Sequence, residues 1–219
     1  MAAQVDLAQV SRRQRKMHDK QSRIFEAAAA MFAEHGFSGT TTQQISERAD
    51  VAAGTLFRYA ASKGELLLMV YNEELRTALA DGAAAAGARP DTVAAVFAMV
   101  EPLLRAAERR PENTIVYQRE LLFGSPTDRY RSEGLALVAR LESMIAERLI
   151  ADARRDGLES EQIAEQAGLA GRSIFAVLHL ALVQPATGAH PGHDATADLR
   201  EQIAQIIAGF LTSSGRQQQ

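Results

Sequence analysis

The sequence predicts an all-α fold. Apolar residues recur three and four apart along most of the 219 residues, and Gly or Pro breaks fall between the periodic runs. No stretch shows the period-two alternation that a half-buried strand requires, and no repeat occurs at solenoid spacing. The length suits an N-terminal head followed by a larger helical body and is ample to bury a core. The expected organisation is a flexible basic arm over residues 1–19, a head of short helices over 20–66 and a larger helical body over 67–219.

The elements follow in order. Ile24, Ala27, Ala28, Met31 and Phe32 form the apolar face of a first helix, which Gly36 stops with a left-handed residue after His35. Phe37 can fold back on Phe32, and His35 suits the negative end of the helix dipole. Thr41 and Gln44 have capping-box spacing, so a short helix starts at Thr42, with Ile45 and Ala49 inward and Gln43, Gln44, Glu47 and Arg48 outward. Asp50 tolerates the left-handed backbone of a tight turn, and Val51 plugs the crossing of two helices. A second short helix is expected from about 53 to 59, with Leu56 inward, Ala60 one turn on, and Ala53, Gly54, Thr55, Arg58 and Tyr59 outward. Ser62 caps a longer helix that carries Leu66, Leu67, Val70, Tyr71, Leu75 and Leu79 towards the break at 87–90. Further helices are expected over 91–109, 114–123, from 127 or 132 to 155, over 160–183 and over 195–212, with the loop QPATGAHPGHD between the last two.

Two short helices around a tight turn, the second led by small residues and carrying Thr, Arg and Tyr, suit entry into a major groove of double-stranded DNA. Charge distribution agrees: residues 1–63 hold nine Lys/Arg against six Asp/Glu, and the remainder fifteen against twenty-one. Arg12, Arg13, Arg15, Lys16 and Lys20 form a basic cluster that can lie along a DNA backbone or remain a solvated tail.

The run from Ala49 through Thr55, Leu56, Phe57, Arg58, Tyr59, Ser62, Lys63 and Leu66 resembles the signature of the TetR-type family of bacterial repressors, over roughly residues 20–70. The resemblance implies that Thr41, Thr42 and Gln43 serve the DNA contact from the first short helix and that Ala53, Gly54 and Thr55 sit nearest the base edges. It also implies that Phe57 stands where the family has a phosphate-gripping tyrosine, with Arg58 and Tyr59 taking over the polar contacts, and that Lys63 clamps a phosphate. Ala52 stands where a serine cap is common, and Ala60 and Ala61 where an aromatic and a proline are usual.

For the body, the resemblance implies an inducer cavity, sought among Phe97, Met99, Leu103, Tyr117, Glu120, Leu121, Phe123, Met144, Phe175 and His179; each alone also reads as ordinary core. The last two helices are expected to pair subunits of a homodimer through Ile163, Ala167, Ile174, Leu178, Ile203, Ile206, Ile207 and Phe210, the alternative being that these residues complete the monomer's own core. The function expected is a repressor released from a near-palindromic operator by a small, largely apolar effector. A DNA-organising or partner-docking protein without small-molecule control is the alternative.

Other classes find little support. The absence of cysteine excludes disulfides and thiolate metal sites. His190, His193 and Asp194 fall in a loop broken by Pro and Gly, with no second cluster to complete a metal site or a helical enzyme centre. Neither a P-loop, a dinucleotide-binding glycine fingerprint nor a nucleophile elbow is present, so no catalytic residue, metal or cofactor is expected. No apolar run is read as membrane-spanning and no signal-peptide core is evident, which gives the expectation of a soluble cytoplasmic protein without a membrane partner.

Overall fold

The computed structural model describes residues 2–158, 161–188 and 190–215, with the side chains of residues 2–16, 185, 186, 214 and 215 outside the description. Among the described residues it is all-helical, in the order α1 (Ala2–His35), α2 (Thr42–Arg48), α3 (Ala53–Leu56), α4 (Lys63–Gly87), α5 (Thr92–Arg109), α6 (Pro111–Phe123), α7 (Arg129–Arg155), α8 (Ile163–Thr187) and α9 (Ala195–Gly215).

The head is built as its residues dictate. Ile24, Ala28 and Phe32 of α1, Ile45 of α2, Leu56 of α3 and Leu66 to Leu68 of α4 are almost wholly buried together. Gly36 closes α1 at φ 70°, and Phe37 stacks on Phe32 with ring centroids 6.0 Å apart. Tyr117 and Leu121 of α6 belong to the same core, so the head shares its interior with the body. A second core fills the body from α4, α5, α7, α8 and α9, with Val96, Val100, Leu141, Ile145, Leu149, Ile174, Leu199 and Ile203 at its centre.

Several boundaries differ from those expected. The helix of α1 begins at Ala2, so the residues expected as a separate arm are on the first helix; the side chains of Arg12, Arg13, Arg15 and Lys16 lie outside the described residues. α3 ends at Leu56 instead of about residue 59, because Arg58 N–H and Tyr59 N–H bond the carbonyls of Thr55 and Leu56, three residues back, in a tightened turn. α6 starts at Pro111 rather than Thr114, since proline at the first helical position forfeits no hydrogen bond. α8 starts at Ile163 and runs on to Thr187, where Gly188 closes it at φ 63°, and α9 continues beyond Thr212 to Gly215.

The expectation that no segment is apolar enough to span a bilayer needs correction. Ile163–Gln184 of α8 has the length and a mean hydropathy of 1.4 that would allow it. Its apolarity has another use, because Ile163, Ala167, Ile174 and Leu178 face the body core.

The residues named for dimerisation are corrected more deeply. Ile163, Ala167, Ile174, Leu178, Ile203, Ile207 and Phe210 are buried in the chain's own core, and Ile206 is half-buried against it. They hold α8 and α9 to the rest of the monomer, and of them Ile206 alone keeps some free surface. The apolar spacing identified a buried face correctly, but it does not say which molecule buries it.

Candidate nucleic-acid interface and ligand cavity

The turn between α2 and α3 owes its geometry to short-range chemistry. Thr41 accepts from Gln44 N–H while the Gln44 side chain reaches back to Thr41 N–H, completing the capping box. Asp50 adopts φ 50°, and Arg23 of α1 fixes it through Nη1–Oδ2 at 3.1 Å. Arg48 grips Glu34 of α1 through both carboxylate oxygens at 2.7 and 2.9 Å, which holds the Glu34 carboxyl below its usual range. Ala52 caps α3 with no side-chain bond.

This frame presents Thr41, Gln43, Ala53, Gly54, Phe57 and Arg58 to the exterior, with Thr42 and Thr55 half-buried between them. A Cβ added at Gly54 would meet nothing within 4 Å. Gln43 donates to Glu47 one turn on at 2.9 Å, and Phe57 is 48% exposed. The Arg58 side chain makes no hydrogen bond or ion pair among the described residues, so its five donors are free to meet phosphate or a base edge.

Lys63 and Tyr59 are placed differently from what a phosphate clamp needs. Lys63 Nζ donates to the carbonyls of Phe37 and Thr40 at 2.9 and 2.8 Å and stands 4.2 Å over the Phe37 ring. It therefore fixes the turn that leads into α2. Tyr59 donates its hydroxyl to the Met17 carbonyl at 3.2 Å and ties the end of the α3 turn to α1.

The same turn is held from the body by residues that the sequence gave no reason to single out. Asn113 of α6 accepts from Phe37 N–H at 2.7 Å and donates to the Phe32 carbonyl at 3.0 Å. Glu112 accepts from Ser38 N–H at 2.8 Å, and its bonds from Ser38 hold its carboxyl below the usual range. A side chain at Gly36 would strike Glu112, and one at Gly64 would strike Glu120. The start of α6 thus holds the end of α1, adding a second donor to the Phe32 carbonyl and accepting from the N–H groups of Phe37 and Ser38 just beyond it. Pro111 marks the helix start in the sequence, but a partner more than seventy residues away leaves no local pattern.

α6 also walls a cavity of about 70 Å³ between α4, α5, α6, α7 and α8. Its lining is mainly apolar and includes Leu75, Leu103, Leu121, Leu141, Phe175, Leu178 and Leu182, with Tyr71, Glu74, Thr114, Tyr117 and Gln118 as its polar side chains. Tyr71 sits against the Asn113 amide, and burial pushes its phenol up to about 12. Of the residues expected here, Leu103, Tyr117, Leu121 and Phe175 line the cavity. The others do not. Phe97 packs under the Arg200 guanidinium, 5.1 Å from its carbon, and the Met99 backbone lies close to Gly82. Met144 fills the body core, Glu120 pairs with Arg119 beside the first turn of α4, and Phe123 is 81% exposed at the end of α6. His179 is half-buried beside Phe175, and burial keeps its pKa below the ordinary histidine value. His193 bonds Asp198 at 3.0 Å, and no group of metal-ligating side chains gathers among the described residues.

Comparisons with known proteins meet this geometry at the head. Residues 24–70, from the core of α1 into α4, match the family model of bacterial regulatory proteins of the tetR family. The repressor KstR of Mycolicibacterium smegmatis is 36% identical over 107 residues, covering 48% of this chain and 52% of that one. The head is that of the TetR family of bacterial regulatory proteins. KstR of Mycobacterium tuberculosis is 35% identical over 107 residues, covering 48% of each chain, so this chain spans about half the length of the curated relatives it matches. Over the whole fold, the TetR-family repressor FadR of Thermus thermophilus, solved with lauroyl-CoA, superposes with a TM-score of 0.69 at 26% identity, covering 86% of this chain and 93% of that one. FadR of Bacillus subtilis, solved with stearoyl-CoA, gives 0.63 at 16% identity over 86% and 98% of the two chains and supports the family fold alone.

Proposed function

We propose that the chain is a homodimeric transcriptional repressor that binds a near-palindromic operator in double-stranded DNA and is released by a small, mainly apolar effector. It acts in the cytoplasm, where its DNA lies. The observation that carries the ligand-responsive reading is the double use of α6: Thr114, Tyr117, Gln118 and Leu121 wall the cavity, while Glu112 and Asn113 hold the turn that positions α2 and α3.

The mechanism follows from volume. Ligand pockets commonly occupy about 300–1,000 Å³, and this cavity encloses about 70 Å³. A ligand larger than a few atoms enters only if the walls part. Displacing α6 moves the Asn113 and Glu112 contacts, and the head with them. The effector thereby favours a state whose two heads no longer match the operator, with coupling on the order of 1–3 kcal/mol. The Thermus relative, solved in complex with lauroyl-CoA, supports a ligand-binding reading of this fold. The test is release of the protein from a selected duplex, followed by fluorescence anisotropy, on addition of fractionated small-molecule extract. No fraction releasing it would contradict ligand control.

Twofold pairing rests on the outer face of α8. A helix apolar all round is normally buried all round, yet 39% of the apolar window of α8 is buried within the chain. Leu169 and Leu180 are 46% and 66% exposed, on a stripe that continues through Ser173, Ala176 and Val183 at spacings of three and four. Ile206 and Gly209 of α9 are also incompletely covered. A second copy supplies the missing cover and sets two heads about 34–36 Å apart on straight DNA, or a multiple of that repeat. Leu180→Glu is expected to sediment as a monomer with unchanged helical content. An intact dimer would move the interface elsewhere.

A further inference from the structure

The polar side chains of the cavity are unequally satisfied. Thr114 Oγ1 donates to the Arg110 carbonyl at 3.2 Å, Tyr117 donates its hydroxyl to Asn72 Oδ1 at 2.9 Å, and the Tyr71 hydroxyl sits against the Asn113 amide. Gln118 differs. Its side chain is 6% exposed, it lines the cavity, and its Oε1 is buried with no hydrogen-bond partner. A buried carbonyl oxygen left unpaired is costly, so native proteins rarely retain one without use.

The charges around it limit what can pair with it. No Lys, Arg or His lines the cavity, and its one ionisable acid is Glu74. The outer groove that shares Glu74, Ala78 and Ala106 with the cavity adds Glu73 and Asp81 against Arg105 and Arg109; Glu73 is paired with Arg76 and Arg105 with Glu101, which leaves Glu74 and Asp81 against Arg109. A carboxylate or phosphate entering here meets a surplus of like charge. The cavity itself therefore offers no cation to the phosphates of the acyl-CoA with which fold relatives were solved, and the groove offers Arg109 beside two carboxylates.

We infer that the cavity recognises a neutral, mainly apolar molecule bearing a hydroxyl, whose O–H donates to Gln118 Oε1. The inference rests on the ligand-responsive reading above and names the ligand's chemistry. A hydroxyl recovers the hydrogen bond that the free protein lacks, whereas an isostere without a donor leaves the oxygen unpaired. Sites built to bond a substrate hydroxyl discriminate strongly against the analogue lacking it. Because Gln118 is on α6, the same contact would seat the ligand against the helix that holds the head.

Calorimetric titration of the full chain with 1-octanol, with methyl heptyl ether of equal heavy-atom count, and with octanoate tests this. The alcohol is expected to bind about 10- to 100-fold tighter than the ether, and octanoate more weakly than the alcohol. Gln118→Leu should erase the preference of alcohol over ether while melting no lower than wild type, since it removes an unpaired buried amide. Equal affinity of alcohol and ether for wild type, or a preference that survives Gln118→Leu, overturns the Gln118 assignment and leaves the cavity a ligand site. Binding of neither compound, or binding unaltered by Leu103→Trp in the cavity wall, overturns the cavity reading and this inference together.

Discussion

Asn113→Ala is expected to lower the thermal midpoint by about 2–12 °C and to weaken the effector's control of DNA binding. Asn113 is 1% exposed and completes backbone groups of two residues in the head, Phe37 N–H and the Phe32 carbonyl. An alanine leaves Phe37 N–H without this partner, while the Phe32 carbonyl keeps the Gly36 N–H at 3.1 Å; one buried unpaired group costs roughly 1–3 kcal/mol. For a chain of this size 1 kcal/mol shifts the midpoint by about 2–4 °C. Calorimetry measures the loss, and hydrogen exchange should localise it to residues 32–40. The functional consequence is separate from the stability loss. If α6 transmits cavity expansion through Asn113, the variant still binds operator below its melting range but is released less readily by a saturating effector. Unchanged exchange at 32–40 together with unchanged release would remove α6 from the transmission route.

Gly54→Glu is expected to abolish specific operator binding, with a loss above about 100-fold, while leaving the fold intact. Gly54 lies in α3 without a positive φ, and a Cβ there meets nothing within 4 Å, so the free protein accommodates a side chain. Replacing a helical glycine removes a conformational-entropy penalty of about 0.5–1 kcal/mol, so stability should hold or rise slightly. The loss appears only when DNA approaches. A carboxylate on the leading end of the recognition helix meets the duplex's negative charge, and like-charge juxtaposition at an interface costs several kcal/mol. Gly54→Gln, of equal size, separates bulk from charge. Anisotropy with a selected duplex at two salt concentrations makes the measurement, because phosphate contacts are salt-dependent. Operator affinity retained by Gly54→Glu would place the DNA face elsewhere.

Much of the head was legible because its determinants are local. The Thr41–Gln44 capping box, the left-handed Asp50, the Gly36 stop with Phe37 on Phe32, and the Ser62 cap accepting from Glu65 N–H each depend on residues within a few positions of one another. Lys63 shows where such reading ends. A lysine at a helix start next to a DNA-binding motif suits a phosphate clamp, but its ammonium bonds two carbonyls from a turn more than twenty residues away. Tyr59 was lost to Met17 in the same way.

In the body, periodicity located buried faces without assigning their neighbours. Ile203 and Ile207 read equally well as a subunit interface or as core, and their near-complete burial within one chain decides for core. The stripe left uncovered on α8 is weaker in sequence because Ser173 and Ala176 interrupt its large residues. Cavity lining was harder still. Phe97, Met144 and Leu103 are all large apolar residues on helices, yet of the three Leu103 alone lines the cavity. Gln118 carried no signal at all, because an isolated glutamine in a helix is ordinarily a surface residue.

Selection of duplexes from a random pool by the full wild-type chain tests the central claim most directly. The account predicts enrichment of a near-palindrome whose half-sites are separated by one helical repeat, about 10–10.5 base pairs, or a multiple of it. Failure to enrich any sequence, or enrichment of a single asymmetric half-site, would contradict a twofold repressor acting through α2 and α3.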